Sequence, residues 1–114
     1  MTQRLSARAS QMMPKSASER IRGEVRTARI VARVRAIPKG FVRTYADIDP
    51  GAPRLVGHVL ATTRERLPWH RVVRADGSAA MGAHQLERLR REDVPMRGDR
   101  VDLKRARLPD VSAG

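Results

Sequence analysis

Hydrophobic and polar positions fall into three helical stretches, separated by breaks at proline and glycine. In EVRTARIVARVRAIP, residues 24–38, Val25, Ala28, Ala32 and the pair Val31/Val34 recur at helical spacing. Arg26, Arg29, Arg33 and Arg35 take the other positions, and Pro38 ends the run. Lys39-Gly40 marks a turn, and Phe41-Val42 leads into the polar stretch Arg43-Thr44-Tyr45-Ala46-Asp47. Asp49-Pro50-Gly51 breaks the chain again. A second helix is predicted from Pro53, a favoured first position because proline lacks the amide hydrogen that a helix start leaves unpaired. Its Leu55, Val56, Val59 and Leu60 form one face, and Arg54, Gly57, His58 and Ala61 the other. Leu67 to Val73 reads as a bend entering a short strand, and Asp76-Gly77 as a hairpin-type turn. A third helix runs from Ala83 to Glu92 with Leu86 and Leu89 inward, and Arg100-Val101-Asp102-Leu103 reads as a terminal strand. The expectation is a mainly α domain with a small β hairpin, over residues 23–104.

Residues 1–22 are rich in Ser, Ala and Arg without a sustained period, which predicts a flexible basic tail. A membrane or targeting helix there is the weaker option, because Pro14 interrupts it. Residues 105–114 read as a frayed C-terminal tail. The chain has 114 residues and 12.8 kDa, enough for one small domain. Twenty-four basic residues face twelve acidic ones, a net charge of +12 that favours a polyanion, most plausibly nucleic acid. Twenty-one of the basic residues are Arg, a bias that codon usage can produce; the excess over acid is not explained that way. Segment 23–73 carries +6 and segment 74–103 is neutral, so the ordered positive charge lies in the first half. No apolar run approaches the roughly 20 residues of a membrane span and no signal peptide is visible, so a cytoplasmic monomer without a membrane partner is expected.

The absence of cysteine excludes a disulfide scaffold, a thiolate metal site and a cysteine nucleophile. His58, His70 and His84 show no ligand spacing among themselves, so neither metal nor cofactor is expected. Two residues invite a reading of their own. Gly57 costs about 1 kcal/mol relative to alanine inside a helix, which suggests close approach of something to the backbone. Tight packing against another helix explains it equally well. Trp69, the only tryptophan, is either a core residue or a flat pocket wall.

The order of motifs adds a resemblance. IPKGFVRTYADID, APRLVGHVL, LPWHRVVRADG, the helix with Gln85, Leu89 and Glu92, and RVDL together resemble the DNA-binding domain of the O6-alkylguanine-DNA alkyltransferases. The match runs over about residues 24–103. In the transferases the bend motif is Pro-Cys-His-Arg-Val, with the cysteine accepting the alkyl group. Here it reads Pro68-Trp69-His70-Arg71-Val72, the mark of the alkyltransferase-like branch.

The resemblance implies a winged helix-turn-helix whose second helix enters the minor groove, with the damaged base flipped into a pocket. On that pattern Arg54 is similar to the arginine that fills the gap in the base stack, and Tyr45 to the tyrosine that rotates the target nucleotide. Arg43, Thr44, Gly57 and His58 complete the implied DNA contacts. Tyr45, Pro68, Trp69, His70, Arg71, Val72, Ala80, Met81 and Gly82 form the implied lesion pocket, with Asp76–Gly82 as its closing loop. His70 and Glu92 resemble the proton relay of the transferases; without a sulfur to activate they form a hydrogen-bonded scaffold. Two departures stand out. The stretch between Tyr45 and Arg54 is shorter than in the family, which leaves the first helix of the helix-turn-helix reduced to a turn. Asp93 stands where a glycine usually follows the helix acid.

The implied function is a non-enzymatic sensor of O6-alkylguanine in double-stranded DNA that flags the lesion for nucleotide excision repair proteins. The rivals are a helix-turn-helix regulator or architectural protein on undamaged DNA, and an enzyme using His70 and Glu92.

Overall fold

In the computed structural model, which describes residues 16–109, helix α1 spans Ala17–Arg35. It begins earlier than the hydrophobic pattern indicates because Ser16 caps it, its hydroxyl accepting from the Glu19 amide at 3.4 Å. Residues 17–22, expected in the flexible tail, are therefore helical; residues 1–15 lie outside the described residues. The expected apolar stripe is also corrected. Ile30, Val31 and Val34, near the C-terminal end of α1, are its buried residues. Val25, Ala28 and Ala32 stay exposed: Ala32 lies off the buried face of its own turn, and Ala28 borders an open cavity against the helix that begins at Pro53.

After the turn at Lys39-Gly40 the chain forms β1 (Arg43–Thr44), the single-turn helix α2 (Tyr45–Ile48) and helix α3 (Pro53–Thr62). The short segment before Arg54 thus does reduce the first helix of the helix-turn-helix to one turn. A capping box holds that turn: Thr44 Oγ1 accepts from the Asp47 amide, and Asp47 accepts from the Thr44 amide. A 3-10 turn at Trp69–Arg71 leads into β2 (Val72–Val73), which pairs in parallel with β1, Arg43 opposite Val72 and Thr44 opposite Val73. Helix α4 (Ala83–Arg91) follows, then β3 (Met96–Arg97), β4 (Arg100–Val101) and the short helix α5 (Leu103–Ala106).

The antiparallel strand pair is β3–β4, around Gly98-Asp99. The turn expected at Asp76-Gly77 lies ahead of it and is present, the Gly77 amide donating to Arg74 O at 2.8 Å and the Arg74 amide to Ser78 O at 3.0 Å. Gly77 remains essential to that turn. It has φ +83°, and a Cβ there would strike the Val101 carbonyl, whose own amide donates to Gly77 O at 2.9 Å. The expected terminal strand 100–103 ends at Val101. Residues 105–108, expected to fray, join the fold: Val42 bridges to Arg107, and the Leu108 amide donates to Val42 O at 2.9 Å. Arg107 also donates to Asp47, tying the end of the chain to α2. Residues 110–114 lie outside the described residues.

Two apolar clusters result. One joins Ile30, Val31, Val34 and Ile37 to Ile48, Val56, Val59, Leu67 and Val72. The other holds Val42, Val73, Leu89, Val94, Val101 and Ala106. The β1–β2 pair sits between them, contributing Val72 to the first and Val73 to the second. Mostly helical with a small sheet and a C-terminal hairpin, the arrangement is a winged helix-turn-helix.

Asp93 takes the place of a C-terminal glycine literally. It has φ +59°, its amide donates to Arg90 O, and the Val94 amide donates to Leu89 O, a glycine-type helix stop with Val94 packed on Leu89. Left-handed backbone is costly for a residue with a Cβ, so Asp93→Gly is expected to stabilise the protein by up to about 1 kcal/mol. Thermal unfolding checks it, with the Tm rising by a few degrees; a fall would show that the Asp93 side chain stabilises the stop.

Candidate nucleic-acid interface and lesion pocket

Helix α3 buries Val56 and Val59 against α1 and leaves Arg54, His58 and Ala61 exposed. Tyr45, half-buried at the start of α2, packs towards Gly57 of α3: a Cβ on Gly57 would stand 3.9 Å from Tyr45 Cε1. That is ordinary contact, so no neighbour inside the protein requires glycine there. Internal packing thus does not account for Gly57. Tyr45 and Gly57 are therefore adjacent, and Arg54 stands one helical turn before Gly57 on the same helix. Burial raises the Tyr45 phenol above its ordinary pKa, and the charge of Arg74 opposes the rise. Arg74 was not singled out in the sequence; only the fold brings it to Tyr45.

The second half of the site is built on the 3-10 turn after Pro68. Trp69 is not a core residue. It is half-buried, edge-on to His70 with ring centroids 5.9 Å apart, and flanked by two side chains of α4. His84 lies 5.9 Å from the indole and the Arg88 guanidinium 5.5 Å from its centroid, a cation–π contact. Nothing in the sequence links residues 69, 84 and 88; the packing of α4 on the turn does.

Behind Trp69 stands a carboxylate with three bonds. Glu92 Oε2 is 3.0 Å from His70 Nε2, and Arg71 donates to both Glu92 oxygens at 2.8 and 2.7 Å. Arg71 also donates to Ile37 O at 2.8 Å, reaching back to the end of α1. These contacts hold the Glu92 carboxyl at about 2, with the Arg71 hydrogen bonds as the first cause. Burial pushes His70 below its ordinary value, and Glu92 beside it opposes the shift. Its Nδ1 is buried without a hydrogen-bond partner among the described residues. The expected scaffold of His70 and Glu92 is present, with Arg71 as its third member.

The loop after β2 is closed by an internal bridge. Gln85, 1% exposed, donates through Nε2 to His70 O and Val72 O at 3.0 and 2.8 Å, and its Oε1 accepts from the Met81 amide. One amide side chain thus fixes the Trp69 turn, strand β2 and the loop end together. Gln85 was visible in the sequence only as part of a motif. Ala80, Met81 and Gly82 are exposed at that loop, and Gly82 starts α4.

Some expected contact residues are engaged inside the protein. Thr44 is 3% exposed and its hydroxyl caps α2, so it faces the fold rather than a ligand. Arg43 donates to Pro109 O at 3.3 Å. Arg71 is bound to Glu92 instead of lining a pocket. His58 faces a cavity of about 670 Å³ between α1 and α3, which Arg20, Leu55 and Thr62 also line.

A single-turn helix, a recognition helix with an exposed cation at its start and a C-terminal hairpin define a winged helix-turn-helix DNA-binding domain. Residues 26–94 match the family model of the 6-O-methylguanine DNA methyltransferase DNA-binding domain, and the chain belongs to that family. It is 41% identical over 86 residues to the DNA base-flipping protein of Escherichia coli (strain K12), covering 65% of this chain and 67% of that one. It is 34% identical over 85 residues to a bifunctional methyltransferase/endonuclease of Picrophilus torridus, of which the match covers 28%. The fold is shared with a crystal structure of S. pombe Atl1 in complex with damaged DNA containing O6-carboxymethylguanine. The TM-score is 0.66 at 23% identity, over 76% of this chain and 97% of that one.

Acid stability tests the Glu92 cluster. A carboxylate whose folded pKa is depressed stabilises the fold above its unfolded value near 4.5, and that stabilisation is lost as pH falls towards about 2. The loss is expected to be of the order of 3 kcal/mol at most. Denaturant titration of wild type and Glu92→Gln across this window should show the slope flattened in the variant. An unchanged slope would place the acid sensitivity elsewhere.

Proposed function

We propose that this protein recognises O6-alkylguanine in duplex DNA, holds the flipped nucleotide and leaves its chemistry untouched, presenting the complex to nucleotide excision repair. The observation that carries the reading is what stands at the acceptor position of the family motif. Where the transferases of this family keep an acceptor thiol, Trp69 stands against an intact His70–Glu92–Arg71 scaffold. The chain contains no cysteine, so no thiolate can take an alkyl group. The names of the relatives, a base-flipping protein above all, point the same way.

The family resemblance assigns the division of labour, and the adjacency of Tyr45 and Gly57 with Arg54 one turn away supports it. Gly57 lets the α3 backbone approach the groove. Tyr45, packed beside it, bears on the phosphate of the target nucleotide and is held there by the capped turn. Arg54 fills the stack that the flipped base leaves, where a planar guanidinium both stacks and donates hydrogen bonds. The Trp69 indole offers an apolar surface to an O6-alkyl group. Its orientation is fixed by His84 and Arg88 on one side and by the buried His70 on the other.

Titration of the protein with an O6-methylguanine duplex and its guanine twin tests the reading. Preference for the lesion supports it, and equal affinity would favour a regulator or architectural protein of undamaged DNA. Arg54→Ala is expected to weaken lesion binding by roughly 1–3 kcal/mol, the size of a lost stacking or base contact. Unchanged affinity would remove Arg54 from the stack.

Intact-mass measurement addresses chemistry. Wild type should acquire no methyl group from the lesion duplex, and an adduct would overturn the non-enzymatic reading. Trp69→Cys restores the Pro-Cys-His-Arg-Val motif next to the relay, yet little or no transfer is expected. Removing the indole opens a cavity beside His84 and Arg88 and leaves the sulfur unheld at a distance from the alkyl carbon. A stoichiometric adduct on the variant would show a pocket already organised for transfer.

A further inference from the structure

Helix α1 carries Arg22, Arg26, Arg29 and Arg33 at a spacing of four, three and four residues, which places all four on one face. Two of them are committed to the fold. Arg26 donates to both oxygens of Asp49 at 2.7 and 2.8 Å, and Arg33 donates to Ile48 O at 2.6 Å. Gly51 accommodates this pair, because a Cβ there would sit 2.7 Å from Arg26 Nη2. Arg26 holds Asp49 at about 2, so this carboxylate stays charged and paired. The two contacts lock the arginine face against the turn that leads from α2 into α3.

Arg22 and Arg29 alternate with these two, are exposed, and make no hydrogen bond or ion pair among the described residues. All four arginines line one open cavity of about 430 Å³, in which Asp49 is the acid. Glu19, one turn before Arg22, is the other acid on this side of α1. The family match begins at residue 26, so Arg22 lies in helical turns that precede it.

We propose that Arg22 and Arg29 form a second contact surface for the DNA phosphate backbone, beside the recognition helix. The inference rests on the DNA-binding reading and extends it. The stripe from Arg22 to Arg33 runs about 16 Å along the helix axis. A duplex carries about one negative charge per 1.7 Å of axis, so a strand passing α1 presents several phosphates over that length. The stripe borders the turn between Tyr45 and Arg54, so a duplex engaged by those residues continues past it. The Arg26 charge is already compensated by Asp49, and Arg33 is tethered through Ile48 O. Arg22 and Arg29 are held in register by those same contacts.

The test uses the full chain with the substitutions Arg22→Ala and Arg29→Ala together, titrated against lesion and guanine duplexes over a salt series. Both positions are exposed, so thermal unfolding should match wild type. Two lost phosphate contacts should flatten the dependence of log K on log salt by about 1.8 on both duplexes, at about 0.9 per contact. The ratio of lesion to guanine affinity should stay at its wild-type value. Arg90→Ala with Arg91→Ala removes the same charge from α4, on the second core, and should flatten the slope much less. An unchanged slope in the α1 variant, as an acidic protein partner for Ile21 and Val25 would leave it, overturns the proposal. So does equal flattening by the α4 pair. Equal wild-type affinity for the two duplexes, with the slope still flattened by the α1 pair alone, would sink the lesion reading and keep the α1 surface.

Discussion

The Glu92 carboxylate organises this small domain more than any other single group. It sits at the end of α4 and accepts from Arg71 twice, with His70 on the same oxygen, while Arg71 reaches Ile37 O at the end of α1. One charge therefore helps connect the two apolar clusters, alongside the β1–β2 pair, Gln85 on Val72 O and Arg107 on Asp47. Removing one partner of such a pair leaves the other charge uncompensated, typically at 3–5 kcal/mol when buried. The 3-10 turn that presents Trp69 is held by this anchor and by Gln85. In a protein that needs a proton relay the same geometry would serve chemistry. Here the residue before His70 is Trp69, edge-on to the imidazole.

The shortened helix-turn-helix survives for a related reason. A helix of one turn cannot persist on its own hydrogen bonds, since nucleation is unfavourable. Helix α2 is fixed from outside: by the Thr44–Asp47 capping box, by Arg107 on Asp47, and by Arg33 on Ile48 O. Arg26 secures the following turn through Asp49. Four separate cations or caps thus replace the missing length, and Tyr45 keeps its place against Gly57. The large basic excess of the chain is consequently of two kinds. Arg26, Arg33, Arg71 and Arg107 are structural, each with an internal acceptor. Arg22, Arg29 and Arg54 stand exposed and available to a polyanion.

Much of this was legible in the residues themselves. The Pro53 helix with its small exposed face, the inward Leu86 and Leu89, the polar stretch at Tyr45 and the positive first half all follow from periodicity, proline chemistry and charge. The family pattern marks Asp93 as a departure at the helix end; that the stop nevertheless keeps a glycine's geometry is visible only in the backbone. Hydrophobic spacing and backbone preference are local, and a sequence displays local properties directly.

What the sequence left open depends on which distant surfaces meet. That no internal neighbour excludes a side chain at Gly57 is visible only with Tyr45 in place. The half-buried setting of Trp69 comes from α4 bringing His84 and Arg88 to its ring. The antiparallel pair at 96–101 is set by β3 meeting β4. The roles of Arg71 and Gln85, and the sorting of arginines into structural and free, rest on acceptors 13 to 60 residues away. A guanidinium or an amide is the same in any sequence window. Only tertiary structure supplies the carboxylate or carbonyl that gives it a task, because burial removes water as the competing partner.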